Sequence, residues 1–408
     1  MTVKTAPVRL TADDAALRAQ YLDEVLAVLY PPPMFTTEGP GLFEFVVVPD
    51  RARARLLVPS SPRRIAAAAV RRYAEPQSRG AKLKREAVVA ALQTGASGLL
   101  LRDRIRIGGP RDASIDAYLE RALGARMAMS VHIGPARANR KPVLQLLDDD
   151  GATRGFVKLG TGPLTRDLVQ AETVALTTLA DAPLPHLSVP RVLHAGRWGA
   201  HQVLVQSALP VWRSRASLSP RRLATAMRDV AGCLGYTYAP LTSSPYWATL
   251  TSRLAEIADR PEGAQLGRAA RLLADRAGGI SLRYGAWHGD WAPWNMACLD
   301  DTILLWDWER FTAGVPAGFD AIHHELQRRV QSTPDATAAL EETMQRAGEL
   351  LHPFEVAPGA RELTALLYLV DLAARYLIDR QAEAGARLGV LGSWLLPVLI
   401  RRVEGNQK

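Results

Sequence analysis

The sequence predicts an α+β fold in which a small sheet-bearing segment precedes a mostly helical one, and three observations carry that prediction. Between residues 127 and 206, short β-rich runs alternate with turn residues around a single helical stretch. After residue 209, apolar residues recur at three- and four-residue spacing along most of the chain. That helical pattern is broken near 288–309 by a loop and hairpin rich in His, Asp, Asn and Trp.

The elements follow in order. Residues 127–135 read as a strand running into a turn, and 142–147 as the returning strand. Asp148-Asp149-Asp150-Gly151 makes the next turn, and Gly155–Leu159 a third strand carrying Lys158. Thr165 and Asp167 suit the start of a helix whose apolar residues Leu168, Ala171, Ala175 and Leu179 share a face. Glu172 lies on that helix, fourteen residues after Lys158. A strand over 202–206 leads to a turn-rich connector that ends at Ser219-Pro220, an N-cap followed by Pro at the first helical position. Helices are predicted over 221–234, 247–258, 267–276, 319–329, 336–351, 360–380 and 387–402.

Ahead of all this, residues 43–48 and 54–58 read as paired strands. Helical patterns follow at 62–73 and 83–92, then a strand at 98–107 and a helix at 113–123. The expected organisation is an N-terminal α+β extension or cap (1–120), a small sheet-bearing lobe (121–208) and a mostly helical lobe (209–408).

Composition narrows the class. The chain has 408 residues, 48% of them hydrophobic, which suits packed cores rather than disorder. Cys233 and Cys298 are far apart and show no metal-ligand spacing. The N-terminus has no apolar signal region, and the most apolar stretch, 388–400, is too short to span a bilayer. A cytoplasmic protein without membrane contact is the expectation. Net charge is +9, yet residues 51–111 hold fifteen Lys/Arg against three acidic residues. With one aromatic in that segment (Tyr73) and Arg102, Arg104 and Arg106 alternating along a strand, a solvated face explains the excess better than a nucleic-acid surface.

The chemistry concentrates in His288-Gly289-Asp290-Trp291-Ala292-Pro293-Trp294-Asn295. Four residues separate Asp290 from Asn295, the spacing of a loop in which an Asp faces an attacking hydroxyl and an Asn holds a metal ion. Runs at 296–299 and 302–305 flank Asp300-Asp301 as a hairpin, and Asp307 follows on the apolar side. An Asp and an Asn that share Mg²⁺, with a second Asp as base, form the minimal set for phosphoryl transfer.

These residues resemble the aminoglycoside phosphotransferase and choline kinase-like superfamily, whose loop reads H-G-D-x-x-x-x-N and whose metal motif is D-x-E. The resemblance covers roughly residues 125–380 and implies a protein-kinase-like two-lobe fold. It places the base on Asp290, within the motif opened by His288, and the metal ligands on Asn295 and Asp307. It gives Lys158 and Glu172 the role of an ion pair orienting the nucleotide phosphates, and assigns the adenine edge to backbone groups of Gln206 to Ala208. Gly314, Pro316 and Asp320 resemble a G-x-P…D stretch whose Asp braces the loop. Gly289 in place of Arg, and Asp307-Trp308-Glu309 in place of Asp-Phe-Gly, argue against a regulated protein kinase. The phosphate-covering loop, 134–141, has one glycine, with Arg137, Arg140 and Lys141 as possible phosphate contacts.

The expectation is therefore a small-molecule O-kinase using Mg²⁺ and ATP, with GTP as the alternative nucleotide. The acceptor would be a hydroxylated compound: a sugar, an amino alcohol or an aminoglycoside-like molecule. Five of nine Trp (287, 291, 294, 306, 308) surround the loop, where an indole can stack on a sugar or cage an ammonium group. The competing expectation is a catalytically silent kinase-like binding protein whose basic N-terminal module engages a partner or an anionic surface.

Overall fold

In the computed structural model, the described residues are 12–73, 79–96, 98, 101–134, 140–382 and 387–405. The fold is α+β, and the chain divides into two compact units. The first comprises Met1–Ala136, Arg140–Val169 and Val192–Ala208. The second comprises Arg137–Asn139, Gln170–Arg191 and Leu209–Lys408.

The first unit begins with helix α1 (Ala12–Leu29), then β1 (Phe35–Thr37), β2 (Phe43–Val48) and β3 (Leu56–Pro59). Helices α2 (Arg63–Tyr73) and α3 (Arg79–Thr94), strand β4 (Arg104–Gly108) and helix α4 (Ile115–Leu123) follow. Next come β5 (Ala128–His132), β6 (Val143–Leu147), β7 (Thr153–Gly160) and the start of α5 (Pro163–Leu179). Past β8 (Leu187–Ser188), strands β9 (Val192–Trp198) and β10 (His201–Ser207) complete the unit. Nine strands form one sheet in the order β1-β4-β2-β3-β5-β6-β7-β10-β9. The N-terminal strands therefore continue the later ones, joined where Leu56 and Leu57 on β3 pair with His132 and Val131 on β5.

Period-two alternation gives this sheet two apolar faces. Phe45, Val47, Ile105, Ile107, Met129, Val131, Leu144, Val157 and Val203 bury against α1 and α4, with Phe43 partly buried at the edge. Val46, Leu56, Val58 and Leu147 bury against α2 and α3 on the other face. Helix α1 has no counterpart in the sequence prediction, although Tyr21, Leu22, Val25, Leu26 and Leu29 form a helical stripe that the core absorbs.

The basic segment is corrected in part. Arg102 is exposed as expected. Arg104 and Arg106, however, are half-buried and share Glu44 on the neighbouring strand, at 3.6 and 3.1 Å. A carboxylate on the adjacent strand turns two expected solvent-facing cations into a cross-strand pair.

The second unit carries α6 (Pro220–Gly232), β11 (Thr237–Pro240), α7 (Pro245–Ala255), α8 (Pro261–Ala277) and β12 (Ser281–Trp287). The hairpin β13 (Met296–Cys298) and β14 (Ile303–Leu305) is followed by β15 (Thr312–Pro316). Helices α9 (Phe319–Ser332), α10 (Ala336–Gln345), α11 (Ala347–Leu351), α12 (Arg361–Ile378) and α13 (Leu395–Glu404) close the chain. Ser219 caps α6 through the Arg222 N–H, with Pro220 at the first position, as its sequence indicates.

Strand β12, paired with β11 and β15, has no counterpart among the predicted elements; its residues Tyr284–Trp287 are buried and deliver the chain to His288. The helix predicted over 387–402 is corrected to two short turns (Arg387–Gly389, Leu391–Ser393) followed by α13. Gly389 and Gly392 weaken a helix there, and the tight approach of Gly389 to the Gln381 and Ala382 backbone leaves no room for a side chain. Among the described residues, no helix is long and apolar enough to cross a membrane.

Candidate active site

Residues 288–295 link a buried strand to a hairpin, and their fixed geometry comes from the groups that brace them. Asp320, in the first turn of α9, accepts the backbone N–H groups of His288 (2.7 Å) and Gly289 (3.1 Å). Gly289 has φ +81°, and a Cβ there would lie 2.4 Å from the Arg310 carbonyl oxygen. An Arg at this position, as in H-R-D loops, is therefore excluded by both backbone and space. The buried Arg375 of α12 donates to the Gly289 carbonyl.

His288 is fully buried with both ring nitrogens engaged: Nδ1 accepts the Asp290 N–H at 3.1 Å and Nε2 donates to the Trp306 carbonyl at 3.1 Å. Burial pulls its pKa down to about 4, so the ring is neutral at pH 7. It acts on the loop's shape and has no nitrogen left for a substrate.

Asp290 keeps about a third of its side chain exposed. Its Oδ2 accepts from Asn295 Nδ2 at 2.9 Å, and its Oδ1 accepts from His323 Nε2 at 3.1 Å. Burial pushes the carboxyl up, but the His323 hydrogen bond and the charge of Arg375 outweigh it and bring the pKa to about 2. The group is a carboxylate at neutral pH. The Asn295 amide nitrogen also donates to the Asp290 carbonyl at 2.9 Å, so the amide is clamped and its oxygen is left as the ligand atom.

Strand β14 ends at Leu305, and two residues later Asp307 adopts φ +72°, a left-handed conformation that a non-glycine residue occupies at a cost. The Trp306 N–H donates to the Asn295 carbonyl at 3.0 Å, tying this turn to the loop. Glu172, Asp307 and Glu309 each present a ligand atom within 4.8 Å of the others. Glu172 is fully buried and accepts the Trp308 N–H at 3.3 Å. Three hard oxygen donors at this separation suit a Mg²⁺-like cation far better than a soft metal.

The structure thus joins Asp290 to Asn295 and brings Glu172 to Asp307. It adds Glu309, His323, Tyr368 and Arg375, to which sequence reasoning gave no role. The Asp-x-Glu spacing was a usable signal for Glu309. Apart from Asp320, which the resemblance gave as the brace of the loop, nothing in the sequence links α9 or α12 to it.

Other expected positions lie in the first unit. Lys158 is buried on β7, opposite Leu204 of β10. The backbone donor expected at Ala208 is spent, since its N–H bonds the Arg154 carbonyl at 3.2 Å. Gln206 lies inside the sheet, opposite Phe156 and Val192. Arg137 is outside the described residues. Arg140 stacks on the Tyr21 ring at 3.5 Å and lies 3.8 Å from Glu24. Of the loop tryptophans, Trp291 and Trp308 are fully buried, and only Trp294 (44%) is exposed.

No protein-family model and no curated protein matches the sequence. Solved structures similar to the chain are small-molecule kinases. One is a thermostable mutant of the aminoglycoside phosphotransferase APH(4)-Ia, at 12% identity over 71% of this chain and 100% of that one (TM-score 0.46). Another is APH(3'')-Id from Streptomyces rimosus in complex with ADP and streptomycin, at 17% identity over 56% and 89% (TM-score 0.36). The amicoumacin kinase hAmiN with AMP-PNP, Ca²⁺ and Ami aligns at 11% identity over 66% and 86% (TM-score 0.40). These likenesses are distant, and the functional reading rests on the residues of the site.

Proposed function

We propose that this chain is an ATP- and Mg²⁺-dependent phosphotransferase acting on a hydroxyl of a small molecule. The observation that carries the reading is the clamp at Asp290: a partly exposed carboxylate whose two oxygens are fixed by Asn295 and His323. Asn295 in turn connects through Trp306 to the turn that bears the Asp307 and Glu309 carboxylates, beside which Glu172 of α5 lies.

In this mechanism Asp290 orients the acceptor hydroxyl and takes its proton as the oxygen bonds to the γ-phosphorus. The bond from phosphorus to the nucleotide's bridging oxygen breaks, and ADP leaves with that electron pair. Asp307, Asn295 and Glu309, with Glu172 alongside, would hold Mg²⁺, which when bound neutralises charge on the phosphates. A pKa near 2 keeps Asp290 ionised, so it both orients the hydroxyl and accepts its proton, a transfer that comes late in a loose transition state. His288 and Asp320 are positioning residues for the loop. Lys158 is the proposed phosphate-contacting cation, and residues 1–120 are proposed to be a sheet extension of the nucleotide lobe rather than a separate module.

The acceptor class proposed is a sugar, an amino alcohol or an aminoglycoside-like compound, with Trp294 as the indole available to it. The competing picture of a silent protein with an anion-binding extension fits less well. Much of the basic segment is neutralised by its own neighbours, through Arg51–Asp23, Arg53–Asp50, Arg85–Glu86 and Arg111–Glu120 pairs besides the two to Glu44. The test is transfer of radiolabelled γ-phosphate from Mg-ATP to a panel of these acceptors. Label appearing in a product with wild-type protein and absent with Asp290→Asn supports the reading; no label in any product refutes it.

A further inference from the structure

We propose that His323 and Tyr368 form a buried relay that positions the Asp290 carboxylate, with Asp290 setting the tautomer of His323 and Tyr368 holding the ring's other nitrogen. The inference deepens the phosphotransferase reading and rests on it for its kinetic consequence. His323 projects from α9 and is fully buried. Its Nε2 lies 3.1 Å from Asp290 Oδ1, and its Nδ1 lies 3.0 Å from the Tyr368 hydroxyl of α12. Tyr368 is itself fully buried.

A carboxylate oxygen can only accept, so Nε2 must carry the proton. In a neutral ring Nδ1 is then an acceptor, and the Tyr368 hydroxyl must donate to it. The reverse tautomer would set two lone pairs facing each other at 3.1 Å. Phenol, imidazole and carboxylate therefore form a directed chain of donors ending on the proposed base. With Asn295 on the other oxygen, it leaves Asp290 one orientation towards an incoming hydroxyl. Neither residue touches substrate or metal in this account; both act through Asp290.

Two measurements test this. The first needs no activity: ¹⁵N correlation spectra of histidine-labelled wild-type protein should show the His323 ring neutral and protonated on Nε2, with Tyr368→Phe keeping that tautomer but shifting the Nδ1 resonance as its hydrogen bond is lost. A ring protonated on Nδ1, or an Nδ1 resonance unmoved by Tyr368→Phe, overturns the relay. The second is kinetic, with the best acceptor from a hexose, amino-alcohol and aminoglycoside panel. His323→Leu should lower kcat on the order of 10- to 100-fold with the KM for Mg-ATP nearly unchanged, the loss expected from misplacing a reactive group. His323→Gln, whose amide N–H can replace Nε2–H, should recover part of it, and Tyr368→Phe should fall between. Wild-type kcat in His323→Leu and Tyr368→Phe overturns the relay while leaving the phosphotransferase reading intact. An absence of transfer by wild-type protein overturns that reading, and the spectra then still decide whether His323 holds Asp290.

Discussion

Asp307 offers a prediction in which backbone strain and metal binding separate. Its φ of +72° is tolerated by Asp, strongly disfavoured for Ala and free for Gly. Asp307→Ala and Asp307→Gly remove the same carboxylate, so their difference isolates the backbone. The left-handed conformation costs an L residue about 1–2 kcal/mol, so Asp307→Gly should be the more stable variant by about that amount. For a unit of this size that is a Tm difference of about 2–8 °C. This reverses the usual order, in which Ala outranks Gly. The assay is thermal unfolding of both variants and wild type, with and without Mg-ATP. Wild type at one hundred times Kd should gain about 2.7 kcal/mol from the ligand. Both variants should lose most of that gain and all phosphoryl transfer. Equal stability of the two variants, or Ala above Gly, would refute the strain argument. A wild-type Mg-ATP shift in either would remove Asp307 from the metal site.

Three further outcomes are expected. Asp290→Asn should bind Mg-ATP with near-wild-type affinity by calorimetry but slow single-turnover transfer about 10²- to 10⁴-fold, because the amide keeps the shape and loses the proton acceptor. Phe45→Ala, a buried side chain where the N-terminal strands meet the main sheet core, should cost about 3–5 kcal/mol in denaturant unfolding; a loss under 1 kcal/mol would mean that the extension packs independently. His132, His288 and His324 are each depressed to about 4 by burial, so below pH 6.5 the unfolded chain binds protons that the folded chain refuses. Their stabilisation is present above 6.5 and is lost as pH falls towards 4, at up to about 4 kcal/mol per pH unit for the three together. Asp116 and Asp320, raised by burial to about 6 and about 7, act in the opposite sense over this range and make the net profile shallower; stability that rises as pH falls from 6.5 to 4 would contradict the burial of the three rings as neutral groups.

What the sequence made legible was local. The three-residue strands of the β13–β14 hairpin flank an Asp-Asp turn, so the hairpin and the position of the Asp307 carboxylate beyond it could be placed from spacing alone. The Ser219-Pro220 start carries its own capping chemistry, and β2 paired with β3 as patterned. Long-range matters were hidden. Pairing of β3 with β5 is set by which strand edges meet, and no residue in either strand records it. Strand β12 is apolar and short, so its period does not distinguish it from a buried helix. The same holds for the site: Asp290 and Asn295 lie within one loop, whereas His323 and Tyr368 reach Asp290 from positions 33 and 78 residues later. Glu172 was assigned to Lys158 by family pattern, and its closeness to Asp307 and Glu309 is a property of the folded chain.

The central claim is that Asp290 serves phosphoryl transfer to a small-molecule hydroxyl. The most direct measurement incubates wild-type protein and Asp290→Asn with Mg²⁺ and γ-labelled ATP across hexoses, amino alcohols and aminoglycosides, with product masses read by mass spectrometry. The account predicts one acceptor class gaining a single phosphoryl group with wild type, and that product falling by at least about a hundredfold with the variant. No phosphorylated product with wild type, or equal product from both proteins, would contradict it.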